Sequence, residues 1–513
     1  MTGRTATTRT APPREGGAAV LPAAVCRAAA ALVVLLLFLV VLVLPWAGDL
    51  GMHAATVERL RHGLTRPGSP LVDADVPSPY YSPWTVLLGL LARVTGWQVF
   101  TVLRIGAVAG LALLVTGVWR YVRTLSDRPS APPLALLCLV LLWGTAPVDW
   151  SGFAGLHSLA LTAAYPSVLA LGLAFHFWAW LTRAVREPPG WAAWAGLGVL
   201  WAVIVLCHQF SGVVASLGAL ATLVAARCGR PVWARAAAGL AAGLAVLWAW
   251  PYYDVFALLG TDGLEAAHRS LYRDLAGRYW LVLVGVAALA LRLRRDRRDV
   301  LVVFFALGAA VFAAGGLSGH WSWGRALPAA LVPAQLAAAL LAAEAGHRWW
   351  SRRGREPAGA PAVAVGAVAA ALAVGAWAQS GTVGYVTGPE ALPPTVREKY
   401  REPWRGYGWI TPWVRYGDVV MARTGAARQI PAYGAYTVAP GYPDVFLPDA
   451  PERTEAVRRY FAPGTAAGTR RAVERAYAVR WVVDRGGLRG AEGLREVARG
   501  PDGEVLYRVP GGR

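Results

Sequence analysis

The chain has 513 residues, 56% of them hydrophobic, and a formal net charge of +20. Long apolar blocks separated by short arginine clusters exclude an ordinary soluble domain and fit a polytopic α-helical membrane protein. The arginines fall mainly in loops between apolar blocks, where they set topology and meet anionic headgroups, so no nucleic-acid partner is implied.

Residues 1–27 form a basic tail, expected to be cytoplasmic, with Arg4, Arg9, Arg14 and Arg27. The first apolar run ends in Pro45-Trp46 and Gly48-Asp49 rather than a small-x-small cleavage site. It therefore reads as a retained first span. Stretches able to cross about 30 Å of hydrocarbon fall near 28–46, 98–119, 132–147, 166–182, 191–208, 212–226, 236–251, 279–293, 300–317, 326–343 and 361–379. That makes about eleven spans within residues 28–380, the third of them short. With the N-terminus inside, the arginine clusters at 120–128, 183–186, 227–235, 292–298 and 348–355 all face the same side, as the positive-inside rule requires. This places a multi-pass protein in the plasma membrane with its C-terminal part outside.

The first outer loop, 47–97, is long, and its apolar end from Ser82 to Trp97 reads as an interfacial helix. After the last span hydrophobicity falls, and residues 381–513 read as an extracytoplasmic α/β domain. There "APERTEAVRRYF" and "TRRAVERAYA" predict helices and "VRWVVD" a strand, while "LREVARGPDGEVLYRVP" predicts two strands about a Pro-Asp-Gly turn. It contains no nucleotide-binding glycine motif.

The polar chemistry gathers on the outer side. In "GDLGMHAATVERLRHG", Asp49 is either the N-cap of a helix or a partly desolvated general base. His53 lies one turn further on. "DADVPSPYYSPW" supplies Tyr80 and Tyr81, which suit either sugar hydroxyls or an aromatic belt. "VDWSGFAGLHSLALTAAYPS" supplies Asp149, His157 and Tyr165, "WPYYDVF" supplies Tyr253 and Asp254, and "LCHQFSG" supplies His208. "GHWSWGRALP" sets His320 and Arg325 at the start of a late span. An arginine there either snorkels or holds an anion such as a lipid phosphate. Four cysteines without a C-x-x-C pair, and histidines without an H-E-x-x-H pattern, predict neither a disulfide framework nor a metal site.

The order of these features is more specific than any one of them. An outer acid after the first span, a long outer loop, further spans and an outer α/β tail resemble the GT-C membrane glycosyltransferases that use polyprenyl-phosphate sugars. That group includes the protein O-mannosyltransferase and lipid A aminoarabinose transferase families. The resemblance rests on "GDLGMHAATVERLRHG", "PSPYYSPWTVLLGLLARVTG" and "WGRALP", with Asp49-Leu50 where the family has an Asp-Glu pair.

It implies an inverting transfer of mannose or another hexose or pentose from a polyprenyl-phosphate donor to a hydroxyl. The acceptor is a protein, peptide, lipid or glycan of the cell envelope. Asp49 is the implied base, and Arg325, with His320 and His53, the implied phosphate site. Tyr80, Tyr81, Asp149, His157, Tyr253 and Asp254 are expected to contact substrate, without a cofactor or an obligatory metal. The alternatives are a multispan transporter or flippase of lipid-linked or small solutes and an envelope polymer assembly protein. Ionisable residues near the bilayer midplane and internal repeats are the marks of a transporter.

Overall fold

The computed structural model describes residues 20–258, 265–352, 359–488 and 493–510. Most of the basic tail, with Arg4, Arg9 and Arg14, lies outside the described residues, as do Arg353 and Arg355. The chain opens with α1 (Val20–Val43), α2 (Leu50–His62), α3 (Pro83–Thr95), α4 (Val99–Leu125), α5 (Ala131–Leu141) and α6 (Leu156–Thr162). α7 (Pro166–Arg186), α8 (Trp191–Cys207), α9 (Gln209–Ala225) and α10 (Arg230–Trp248) follow. After the short α11 (Glu265–His268) and α12 (Leu275–Tyr279) come α13 (Leu283–Arg295), α14 (Val300–Ser318), α15 (Pro328–Arg352) and α16 (Ala360–Ala378).

Among the described residues, 8 helices are long and apolar enough to cross a membrane. The remaining three of the expected segments lie over the shorter apolar helices α5, α8 and α9. α15 is the hub. Its alanine-rich face lets neighbours approach closely, and it stays buried from Pro328 to Leu340. Buried Gln335 at its centre donates its amide nitrogen to the Leu142 carbonyl at 2.8 Å, tying α15 to the end of α5. α4 and α7 meet backbone to backbone: a Cβ on Gly172 would stand 2.7 Å from the Leu114 nitrogen, a contact that only glycine permits.

α3 begins in a reciprocal cap between Ser82 and Thr85. It buries Trp84, Leu88 and Ala92 while leaving Leu87, Leu90 and Val94 exposed, an apolar outer face that suits a headgroup-level position.

The tail holds a five-stranded sheet, β1 (Val419–Ala422), β2 (Tyr436–Thr437), β3 (Val479–Asp484), β4 (Arg495–Arg499) and β5 (Val505–Arg508), in the order β2-β1-β3-β5-β4. β1 runs parallel to β2 and β3, and β5 is antiparallel to β3 and β4. Helices Ala450–Tyr460 and Ala467–Ala476 cover one face, burying Tyr460 and Val473 against Val419, Met421 and Val482.

α2 joins the two halves. Fully buried Arg59 donates to the carbonyls of Gly434 at 3.0 Å and Ala435 at 2.6 Å, and its guanidinium lies 3.5 Å from the Tyr436 ring centre. The loop between α2 and α3 adds Leu71, whose carbonyl accepts from Thr437 N at the edge of β2. A buried arginine is tolerated when paired in this way. Replacing it strands the Ala435 carbonyl and leaves that of Gly434 with Gly417 N alone. Arg59→Met is expected to cost about 2–4 kcal/mol, read as a lowered thermal midpoint of the detergent-purified protein. Arg61→Met, at a part-exposed surface pair, should change it little.

Candidate active site

The first span ends at Val43, and the turn that follows is gripped from three sides. Tyr165, just before α7, donates its hydroxyl to the Ala47 carbonyl at 2.5 Å. Tyr442 of the tail donates to the Gly48 carbonyl at 2.7 Å, and Trp404 N donates to the Trp46 carbonyl at 2.8 Å. Gly48 takes φ +47, which favours glycine, and a Cβ there would press on the Tyr165 hydroxyl at 3.1 Å. Gly51 is the second residue of α2, where a Cβ would fall 2.0 Å from the Arg428 carbonyl. The start of α2 is therefore packed directly on tail backbone.

Asp49 occupies the N-cap position of α2, yet its side chain makes no capping hydrogen bond. The carboxylate instead borders a cavity of about 870 Å³. Burial pushes its carboxyl above the ordinary carboxylate value, against the opposing pull of Arg325 and Arg428. One cation comes from the membrane helices and the other from the tail. Arg428 is held by its own Nε donation to the Gly441 carbonyl at 3.0 Å.

Arg325 is buried among Trp150 and Phe210, whose ring centres lie 5.0 and 4.6 Å from its guanidinium carbon. Its Nη2 donates to Ser151 Oγ at 2.8 Å and lies 3.3 Å from His208 Nε2, while Nε has no partner among the described residues. This is a rigid cation with donor capacity to spare. His208 is fixed in turn by Ser211 at 2.8 Å, and burial first, then Arg325, pushes its pKa well below the usual imidazole value. His53 packs edge-on to Tyr165 with ring centres 4.7 Å apart, and burial lowers its pKa to about 3. It is neutral at ordinary pH.

No protein-family model matches the chain, and no curated protein matches it. Solved structures do. ArnT from Cupriavidus metallidurans in the apo state matches with a TM-score of 0.55 at 15% identity, covering 96% of this chain and 98% of that one. ArnT bound to undecaprenyl phosphate gives 0.53 at 15% identity, covering 94% and 97%. The arabinofuranosyltransferase AftD from Mycobacteria gives 0.54 at 15% identity, covering 98% of this chain but 40% of that one. This chain has the GT-C fold.

Within the GT-C fold, Asp49, His53, Tyr80, Asp149, His157 and Arg325 all line the one cavity. Tyr80 also donates to the Pro443 carbonyl at 2.6 Å, and His157 is held at its backbone by Gln379. The other four expected residues lie elsewhere. Tyr81 is buried and donates to the Gly68 carbonyl at 2.8 Å. Tyr253 packs on Phe446, and Asp254 accepts from Phe256 N at 2.8 Å. His320 is exposed, bonded to Ser318 and stacked on Trp323.

The cavity also takes in tail residues that no sequence signal singled out, chiefly Arg428 and Tyr442. Nothing in "TGAARQIP" separates Arg428 from the many other arginines of the chain. Among the described residues, no cluster of three or more His, Cys, Asp or Glu side chains is placed to hold a metal ion.

Because Arg428 opposes the effect of burial on Asp49, Arg428→Met should raise the Asp49 pKa further above its already elevated value. Difference infrared titration of the carboxylate band, with Asp49→Asn to assign it, reads this. An unchanged midpoint would mean that Arg428 does not act on Asp49.

Proposed function

We propose that this protein is an inverting membrane glycosyltransferase that moves a sugar from a polyprenyl-phosphate donor to an acceptor hydroxyl at the outer membrane face. The observation that carries the reading is Asp49: a helix-cap carboxylate that caps nothing, facing a large cavity that a buried, incompletely paired arginine also lines. The GT-C fold supports it, and ArnT, which shares that fold, is seen with undecaprenyl phosphate bound.

In the proposed step Asp49 removes the acceptor hydroxyl proton, and the oxygen attacks the anomeric carbon from the face opposite the leaving group. The bond between that carbon and the phosphate oxygen breaks, and polyprenyl phosphate departs with its electron pair. Raised basicity suits Asp49 to this task, since a base works best with a pKa near the operating pH. The departing phosphate gains negative charge, which Arg325 is placed to stabilise. Its aromatic bed and Ser151 hold it in position before reaction, so little reorganisation is needed. His53, neutral and beside Asp49, serves as a hydrogen-bonding rather than a charged group. Leu206, Phe210 and Leu258 give the cavity an apolar wall for the first isoprene units.

The donor is proposed to be a mannosyl, other hexosyl or pentosyl phospholipid. The C-terminal region, on the same side as the cavity, is proposed to be extracytoplasmic with the N-terminus cytoplasmic. Transport is the weaker reading, because the cavity's ionisable groups come from span ends and outer loops, whereas transporters place them near the midplane.

In vesicles supplied with lipid-linked sugars, Asp49→Asn should lower transfer about 10²–10⁴-fold, the range for loss of a general base. Arg325→Ala should lower kcat with the donor and weaken donor use more than acceptor use. Undiminished transfer by Asp49→Asn would remove it as the base, and a purely acceptor-side defect in Arg325→Ala would relocate the phosphate.

A further inference from the structure

Beside the Asp49 cavity lies a second cleft, of about 930 Å³, within the tail. It opens at the carboxyl ends of parallel strands β1 and β3, where Arg423 follows the first strand, Asp484 ends the second and Arg485 follows it. Open α/β sheets tend to bind ligands at that end of their strands. The two cavities share a wall: Glu402, Pro403, Trp404 and Arg428 line both.

The cleft's charges cancel. Arg405 meets Asp502 at 3.1 Å, Arg423 meets Asp484 at 3.5 Å, and Arg485 meets Glu504 at 3.5 Å. A basic groove would point to phosphate or an anionic headgroup, and an acidic one to a cation. Balanced charges beside a part-exposed tryptophan fit a neutral ligand rich in hydroxyls, which offers both polar groups and an apolar ring face. Trp404 is 38% exposed and offers a ring face for a sugar to stack on. Gln429 lines the cleft at 7% exposure, yet its Oε1 has no partner among the described residues. A buried amide oxygen left unpaired costs stability, and rotation of the Gln429 side chain toward the cleft would let a ligand hydroxyl satisfy it.

We infer that this cleft binds the acceptor and that the acceptor is a neutral glycan, whose end reaches across Trp404 and Arg428 to Asp49. The inference rests on the glycosyltransferase reading and names its acceptor class. A peptide adding as a strand fits the cleft less well, because that mode needs a free strand edge, and the cleft lies at the ends of β1 and β3, which are flanked on both sides within the sheet.

The test uses the full-length protein in detergent or nanodiscs, with short neutral manno-, arabino-, galacto- and gluco-oligosaccharides as probes, read by calorimetry and saturation-transfer NMR. At least one series should bind saturably. Trp404→Ala and Gln429→Leu should each weaken it about tenfold or more, equivalent to one good contact, while Asp49→Asn keeps it. Arg423→Ala, at an exposed side chain on the cleft rim, is a third variant and should also weaken binding. Thermal midpoints check that each variant is folded. Absence of binding in every series overturns the inference, as does binding unaffected by all three cleft variants. Transfer onto a serine- or threonine-bearing peptide or a lipid, unimpaired by the cleft variants, also overturns it while leaving Asp49 as the base. Cleft-dependent oligosaccharide binding without any transfer upholds the cleft and counts against the glycosyltransferase reading.

Discussion

The whole arrangement depends on how α2 is clamped between the membrane helices and the tail. Its first turn rests on the Arg428 carbonyl, a contact that the missing side chain of Gly51 allows, and its last turns are pinned by Arg59 reaching the Gly434 and Ala435 carbonyls. Tyrosines from both halves, Tyr165 and Tyr442, donate to consecutive carbonyls of the turn that carries Asp49. A side chain whose backbone is held from both sides loses little entropy on binding, which suits the catalytic role proposed for Asp49. The same clamp makes the cavity a composite. Neither the membrane helices nor the tail alone would enclose it.

The electrostatics follow from that geometry. Asp49 is removed from water, which favours its protonated form, and the two arginines that oppose this arrive on separate parts of the chain. Arg325 sits in an aromatic bed with an unpartnered Nε, an arrangement costly for a buried cation unless an anion completes it. The tail cleft differs in kind. Its cations and carboxylates are already matched, so it can hold hydroxyls without attracting phosphate, and this separates the two roles proposed for donor and acceptor.

Much of the fold is legible in the sequence because hydrocarbon thickness sets the length of apolar blocks and arginine placement spaces them. Length was less legible than polarity: α5, at 11 residues, and α8 and α9, at 17 each, look as apolar as the long spans. In the tail, β3 and the β4–β5 pair carry clear signals, but β1 and β2 do not. β1 is buried at every position, so it lacks the alternation that marks a half-exposed strand, and β2 has only two residues. At the site, Asp49 was visible from its place after the first span. Tyr81, Tyr253, Asp254 and His320 are equally close to span ends, yet packing turns them to other partners, because proximity along the chain says nothing about which way an outer loop folds. Arg428 and Tyr442 were out of reach for the opposite reason: their position beside Asp49 exists only once the tail docks on α2.

The central claim is that Asp49 and Arg325 face each other across a donor site. A cryo-electron microscopy structure of the protein with a bound polyprenyl phosphate tests it most directly. The account predicts the phosphate within hydrogen-bonding distance of Arg325, the prenyl chain leaving past Leu206 and Phe210, and the Asp49 carboxylate on the opposite side of the space for the sugar. A phosphate seated away from Arg325, or on the same side as Asp49, would contradict it.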